Sequence, residues 1–212
     1  MHSLLDFRGN LPVSVYLTEV AVHDVKALDK LYIENGAICL MDMGYVDFYR
    51  LFNLIHKKNA FFVTRAKDNM LFETTNTVTV DQTTDVIADE RIKLTGVRTS
   101  SWYPEELRMV TYEDYSTNNV YRFLTDNFEY EPLTIPELCR ERWTVELFFK
   151  WLKQHSHIKF FYRTSENAIY TQIWIAVCTY LLLAYAKKKM RINQSLHIIS
   201  KNVGLFLTDK TP

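Results

Sequence analysis

Apolar residues cluster and alternate in two short runs at the start of the chain, HSLLDF and LPVSVYLTEV, and the polar triplet RGN between them is a turn signal. The first element expected is therefore a β-hairpin. HDVKALDKL then reads as a short helix, with Asp24 where a cap or first-turn acid belongs. GAICLMDM is a continuous apolar run that begins after a glycine and ends at Asp42, a pattern that suits a buried strand. VDFYRLFNLIHKKN returns to helical spacing and puts Phe48, Leu51, Phe52 and Ile55 on one side. AFFVTRAK follows as another buried strand, with Arg65 and Lys67 at its far end. Strands and helices in this order predict an α/β fold: a mixed sheet with helices packed on its faces.

The texture changes between residues 69 and 130. TTNTVTVDQ, RIKLTGVRT, LRMVTYED and NVYRFLTDN are short β-rich runs split by polar turns, the pattern of a β-rich insertion. No glycine-rich linker marks its borders, so it is expected to dock on the main body. Helical spacing resumes at LTIPELCRERWTVELFFKWLKQHS, where Thr134 and Glu137 have capping-box spacing and Pro136 fits a first turn. A long apolar helix is expected from about Asn167 to Lys189, closed by three lysines that complement its dipole. The run Ile173 to Ala186 is shorter than the roughly 20 residues a membrane-spanning helix needs. A buried helix and no membrane role are expected there. The chain thus divides into 1–68, the first part of a core; 69–130, the insertion; and 131–212, the helical remainder of the core.

Composition adds bounds. Hydrophobic residues make up 48% of the 212, enough for a sizeable core and against global disorder. Lys plus Arg and Asp plus Glu number 25 each, so any polyanion partner must be met by local patches. Cys39, Cys139 and Cys178 are widely spaced, without ligand or disulfide spacing, and are expected to be reduced thiols of a cytoplasmic protein. The opening residues MHSLLDFRGN lack the regions of a secretory leader.

Two groups of residues could carry chemistry. Cys139, Arg142, Glu146 and Lys153 are offset by 0, 3, 7 and 14, which places them on one face of a continuous helix. Such a stripe is either a solvated set of ion pairs or a site that meets phosphate or metal. Asp42 ends a strand where the chain turns. That is a frequent place for a binding or catalytic carboxylate in open sheets, and equally a place for an Asp that organises the turn. Together the two carboxylates could hold Mg²⁺ or Mn²⁺, and a two-ion clamp suits phosphoryl transfer. Nearby Arg and Lys would hold phosphates.

The blocks MDMGYVDFYRLFNLIHKKNAFFVTRAKDN and RERWTVELFFKWLKQHSHIKFFYRTSENAIYTQIWIAV resemble the DDE transposases of bacterial insertion sequences. More narrowly, they resemble the group with a β-rich insertion and the signature Y-x2-R-x3-E-x6-K, whose spacing Arg142, Glu146 and Lys153 match. LLDFRGNLP and HDVKALD also resemble the sheet of that family, so the likeness runs over roughly residues 2 to 212. The resemblance implies a ribonuclease-H-like fold, with Asp42 as the second catalytic aspartate and Glu146 as the catalytic glutamate, both on Mg²⁺. It implies water, then a DNA 3′-hydroxyl, attacking a phosphodiester at a transposon end. It places Arg142 and Lys153 on DNA phosphates, with Arg65 available for the same role. It further implies double-stranded DNA as partner, a homodimer in a synaptic complex, and a place among the bacterial nucleoid.

Three departures from the family stand out. The first catalytic aspartate lies on a central strand that, in relatives, precedes the segment resembling MHSLLDFRGNLP, so a truncated and inactive chain of marginal stability is expected. Asp6 reads as a turn or strand-end residue and Asp24 as a helix start, so neither replaces it. Met43 stands where relatives have arginine, and Cys139 where the signature has tyrosine, which removes a cation and an aromatic ring from the site. A non-catalytic DNA-binding fragment that pairs with or inhibits an intact transposase is the alternative.

Overall fold

The computed structural model describes residues 1–9, 11–18, 24–81, 83–155 and 165–208. Its strands are β1 (His2–Asp6), β2 (Leu11–Tyr16), β3 (Ile38–Leu40), β4 (Phe61–Arg65), β5 (Phe72–Val78), β6 (Val86–Leu94), β7 (Leu107–Asp114) and β8 (Asn119–Thr125). Its helices are α1 (Phe48–Arg50), α2 (Thr99–Trp102), α3 (Thr134–Glu141), α4 (Trp143–His155), α5 (Glu166–Lys189) and α6 (Leu196–Thr208). The chain forms two compact units, one of Met1–His2 and Thr18–Trp143, the other of Ser3–Leu17 and Thr144–Pro212.

The first unit is built on a six-stranded mixed sheet in the order β3-β4-β8-β7-β6-β5. β3 and β4 are parallel, with Ile38 opposite Phe61 and Leu40 opposite Val63. β4 meets β8 antiparallel, Val63 opposite Thr125, so the residues 69–130 continue the same sheet. Alternation assigns the two faces. Val63, Val110, Tyr112 and Phe123 pack on one side with Ile135 of α3. Phe62, Ile92, Leu107, Met109 and Leu124 pack on the other, against Phe48, Leu51, Ile55 and Tyr103. Fully burying such a side chain contributes about 1.5–3 kcal/mol. This α/β arrangement, a mixed sheet with helices on its faces, agrees with a ribonuclease-H-like fold.

The helical segment after β3 is irregular. Asp47 caps it by accepting from the Arg50 amide at 3.0 Å. It runs from α1 into a π-turn at Leu51–Ile55 and a 3₁₀ turn at His56–Lys58, ending at Asn59 with φ 52°. Asn tolerates that left-handed position better than most residues. The irregularity leaves Leu51 and Ile55 fully buried, as the helical spacing required.

The short helix expected at HDVKALDKL forms as the 3₁₀ helix Asp24–Lys30. Two other local expectations need correction. The capping box at Thr134 does not form. Leu133 holds the cap position with helical angles (φ −67°, ψ −29°) and without a side-chain bond, whereas a cap residue needs extended backbone. Most important, Arg140 to Gln154 is not one helix. α3 stops at Glu141, Arg142 is a turn, and α4 starts at Trp143. The single stripe through Cys139, Arg142, Glu146 and Lys153 assumed unbroken helix, so it divides: Cys139 lies on α3, and Glu146 and Lys153 on α4.

In the second unit β1 and β2 form a separate two-stranded sheet. Asp6 organises their turn as expected, its carbonyl accepting from the Gly9 amide at 3.3 Å and its carboxylate from the Arg8 amide at 3.0 Å. On α4, Phe148 and Trp151 are buried, both edge-on to Tyr180 of α5, at 4.8 and 5.1 Å between ring centres. Trp143 and Leu147 are half or more exposed. The expectation of a buried α5 is also corrected. It buries Ala176, Val177 and Tyr180, while Trp174, Ile175, Leu182 and Tyr185 are exposed. A helix apolar on all sides has more apolar surface than one packed face can cover. By length and composition alone its 24 residues could cross a membrane.

Candidate functional site

The chain leaves β3 through Met41, whose amide still bonds to the Val63 carbonyl at 3.1 Å, and turns at Asp42. Asp42 has extended backbone (φ −76°, ψ 154°) and caps the 3₁₀ turn Met43–Tyr45, its Oδ1 accepting from the Met43 amide at 2.6 Å. The turn-organising role is thus filled by one oxygen. The other, Oδ2, lies 3.6 Å from Nη1 of Arg142. The Asp42 side chain is 60% exposed. An open ion pair of this length contributes at most about 1 kcal/mol and is screened by salt, so a phosphate could compete for the guanidinium.

Arg65 is the last residue of β4, beside Asp42 at the carboxyl ends of two parallel strands. Ligands of open α/β sheets gather at such ends. Its guanidinium lies over the Tyr121 ring at 4.3 Å, a cation–π contact. Arg140 of α3 donates to the Tyr112 hydroxyl at 3.3 Å, and that hydroxyl donates to Asp85 at 3.2 Å. Burial, and then the bond to Asp85, push the Tyr112 phenol above its ordinary range.

Asp42, Arg65, Tyr112, Tyr121, Arg140 and Arg142 line one cleft of about 260 Å³ together with Asp114, Phe123 and Cys139. Three guanidiniums face it against two carboxylates, Asp42 and Asp114. Asp114 is committed to its own hairpin turn, accepting from the Ser116 amide and hydroxyl at 3.0 and 2.6 Å, which lowers its pKa. Cys139 is a neutral thiol here, because burial pushes its pKa up to about 12 against the pull of Arg142 and Arg65. It contributes neither charge nor a strong donor where the signature has a phenol.

Of the residues expected in the site, Asp42, Arg65 and Arg142 therefore share this cleft. Glu146 and Lys153 belong to the second unit, half-buried and exposed respectively on α4. Sequence reasoning missed Arg140, Tyr112 and Tyr121. The alternation of Tyr112 with Asp114, and of Tyr121 with Phe123, places them on one sheet face and could have signalled the two tyrosines. Nothing distinguished Arg140 from a solvated charge.

The family model for the transposase DDE domain matches residues 1–182. The chain is 30% identical over 200 residues to a protein of Sinorhizobium fredii named as a transposase, covering 92% of this chain and 55% of that one. It is 28% identical over 194 residues to a Geobacillus stearothermophilus protein named as a transposase for an insertion sequence element, covering 90% and 50%. A Synechocystis protein with the same kind of name is 28% identical over 184 residues, covering 84% and 46%. The chain spans about half the length of these curated relatives.

Proposed function

The chain belongs to the DDE transposase family, and on that premise we propose that it serves the movement of a bacterial insertion sequence by holding transposon-end DNA for phosphoryl transfer. The observation that carries this reading is the cleft at the carboxyl ends of β3 and β4, where Arg65, Arg140 and Arg142 converge beside Asp42. Guanidinium forks match phosphate geometry. On binding, a phosphate takes Arg142 from Asp42 and frees that carboxylate oxygen.

The family implies a divalent cation. Asp42 and Glu146 are its proposed ligands, and as hard oxygen donors they suit Mg²⁺ or Mn²⁺ in kind. Among the described residues no three His, Cys, Asp or Glu side chains form a group that could hold a metal. When bound, such an ion supplies charge stabilisation to a phosphodiester under attack. What this chain's cations do is distinct: Arg142, Arg65, Arg140 and, on α4, Lys153 bind and orient the backbone. Cleavage and strand transfer belong to the proposal for the whole protein, acting in the cytoplasm on nucleoid DNA as a homodimer that joins two ends.

A second reading, DNA binding without cleavage, is favoured by the neutral thiol of Cys139 and by Met43 beside Asp42. One experiment separates them. End-labelled duplex copied from the ends of its own insertion sequence is mixed with the 212-residue chain, with and without MgCl₂. Retardation is expected, on the order of tenfold weaker for Arg142→Gln at 0.1 M salt, the loss of one phosphate contact. Mg²⁺-dependent nicking supports the catalytic reading, retardation without nicking the second, and no retardation at low salt contradicts both.

A further inference from the structure

The second unit holds a groove of about 770 Å³ whose charge is all of one sign. Arg8 of the β1–β2 turn, Lys150 of α4, Lys187 and Lys188 at the end of α5, Arg191 just past it and His197 of α6 line it. Among the described residues no Asp or Glu does. The chain as a whole is balanced, 25 basic against 25 acidic residues, so this is a local segregation of charge. None of Arg8, Lys150, Lys187, Lys188 or Arg191 takes part in an ion pair among the described residues. The floor is apolar, made by Leu147, Phe148, Trp151 and Tyr180.

The lysines at the end of α5 could be there for the helix dipole alone. Arg191 argues otherwise. It follows α5 with φ 53°, a left-handed conformation, and the Ile192 amide closes the motif on the Lys187 carbonyl at 3.0 Å. Glycine is the usual occupant of this position, because a Cβ is strained there. An arginine held in that conformation keeps its charge at the groove despite the strain.

The Lys and Arg side chains come from the β1–β2 turn, α4, the end of α5 and the residue past it, around a groove far larger than one small anion fills. That arrangement fits the repeated phosphates of a nucleic-acid backbone, and the apolar floor fits its sugar edges. On α4, Lys150 sits one turn after Glu146 and one turn before Lys153, so the basic track adjoins the signature face of that helix. We propose that this groove is a second contact surface for duplex DNA, taking backbone phosphates without regard to sequence. The proposal rests on the reading of the chain as a DNA-acting transposase.

The test is fluorescence anisotropy of the 212-residue chain with a labelled 30-base-pair duplex of arbitrary sequence across a KCl series. For the double variant Lys187→Gln, Lys188→Gln, the slope of log K against log[salt] is expected to shrink by about 1.8, two contacts at roughly 0.9 each. For Arg191→Gly it should shrink by about 0.9, while the variant melts no lower than the parent because glycine relieves the left-handed strain. Arg191→Gly therefore decides the matter even if the double variant does not fold. Parental affinity and slope in Arg191→Gly, with binding still weakened by Arg142→Gln, would overturn the groove and leave the proposed function standing. Failure of the parent chain to bind duplex DNA at low salt would overturn both.

Discussion

Asp126, just after β8, has its carboxyl buried among three partners. Its Oδ1 accepts from the Phe62 amide at 2.9 Å, and its Oδ2 lies 3.2 Å from the His56 ring and 3.4 Å from the Tyr103 hydroxyl. Burial raises its pKa above the ordinary 3.8, outweighing the Phe62 and His56 bonds that pull it down. A carboxyl whose folded pKa is raised binds its proton more tightly folded than unfolded. It therefore contributes stability below its unfolded pKa and loses that contribution as pH rises through the folded value. Replacement by Asn removes the titration. Urea unfolding of the parent and Asp126→Asn across the acidic range is expected to show the parent losing stability relative to the variant as pH rises. A difference independent of pH would contradict the burial argument. None of this was legible in the sequence, where Asp126 reads as a polar end to NVYRFLTDN. Its partners lie 23 to 70 positions away. Cys139 is a similar lesson: the substitution is visible in the sequence, the burial that neutralises the thiol is not.

At the scale of elements, periodicity located the helices and misassigned their faces. Counting 3.6 residues per turn holds only along an unbroken helix, and the turn at Arg142 resets the count. Hence Cys139 lies on α3 while Glu146 and Lys153 lie on α4. Within α4, Phe148 packs on Tyr180 while Trp143, five residues earlier, is 61% exposed. Phe148→Ala is expected to cost about 3–5 kcal/mol in urea unfolding, and Trp143→Ala no more than about 0.5 kcal/mol. Equal costs would contradict the burial of Phe148 and the exposure of Trp143. Strands were easier to read, because an apolar run such as AFFVTRAK declares itself locally. Buried charge was not: Arg108 of β7 grips Asp89 of β6 through two bonds at 2.9 and 2.8 Å, a pairing set by strand register. Each residue alone reads as an exposed face.

For the whole molecule, the α/β class and the transposase family were both legible, since several blocks in the right order carry more information than any single motif. Sheet order was not. β4 pairs with β8 across some sixty residues, and no local pattern specifies such a partner. The cleft was half legible. Asp42, Arg65 and Arg142 were identified as candidates, whereas Arg140 and its Tyr112–Asp85 support depend on that same non-local packing. The central claim is that DNA phosphates occupy this cleft. It is tested most directly by replacing Met43, exposed at the cleft's edge, with a photoreactive benzoylphenylalanine and irradiating the full chain with labelled duplex DNA. Val97, 95% exposed and outside the cleft lining, serves as the reference position. The expected result is a DNA crosslink from position 43 that fades as salt rises and is weakened by Arg142→Gln, with little from position 97. Equal crosslinking from both positions, or none from position 43, would contradict it.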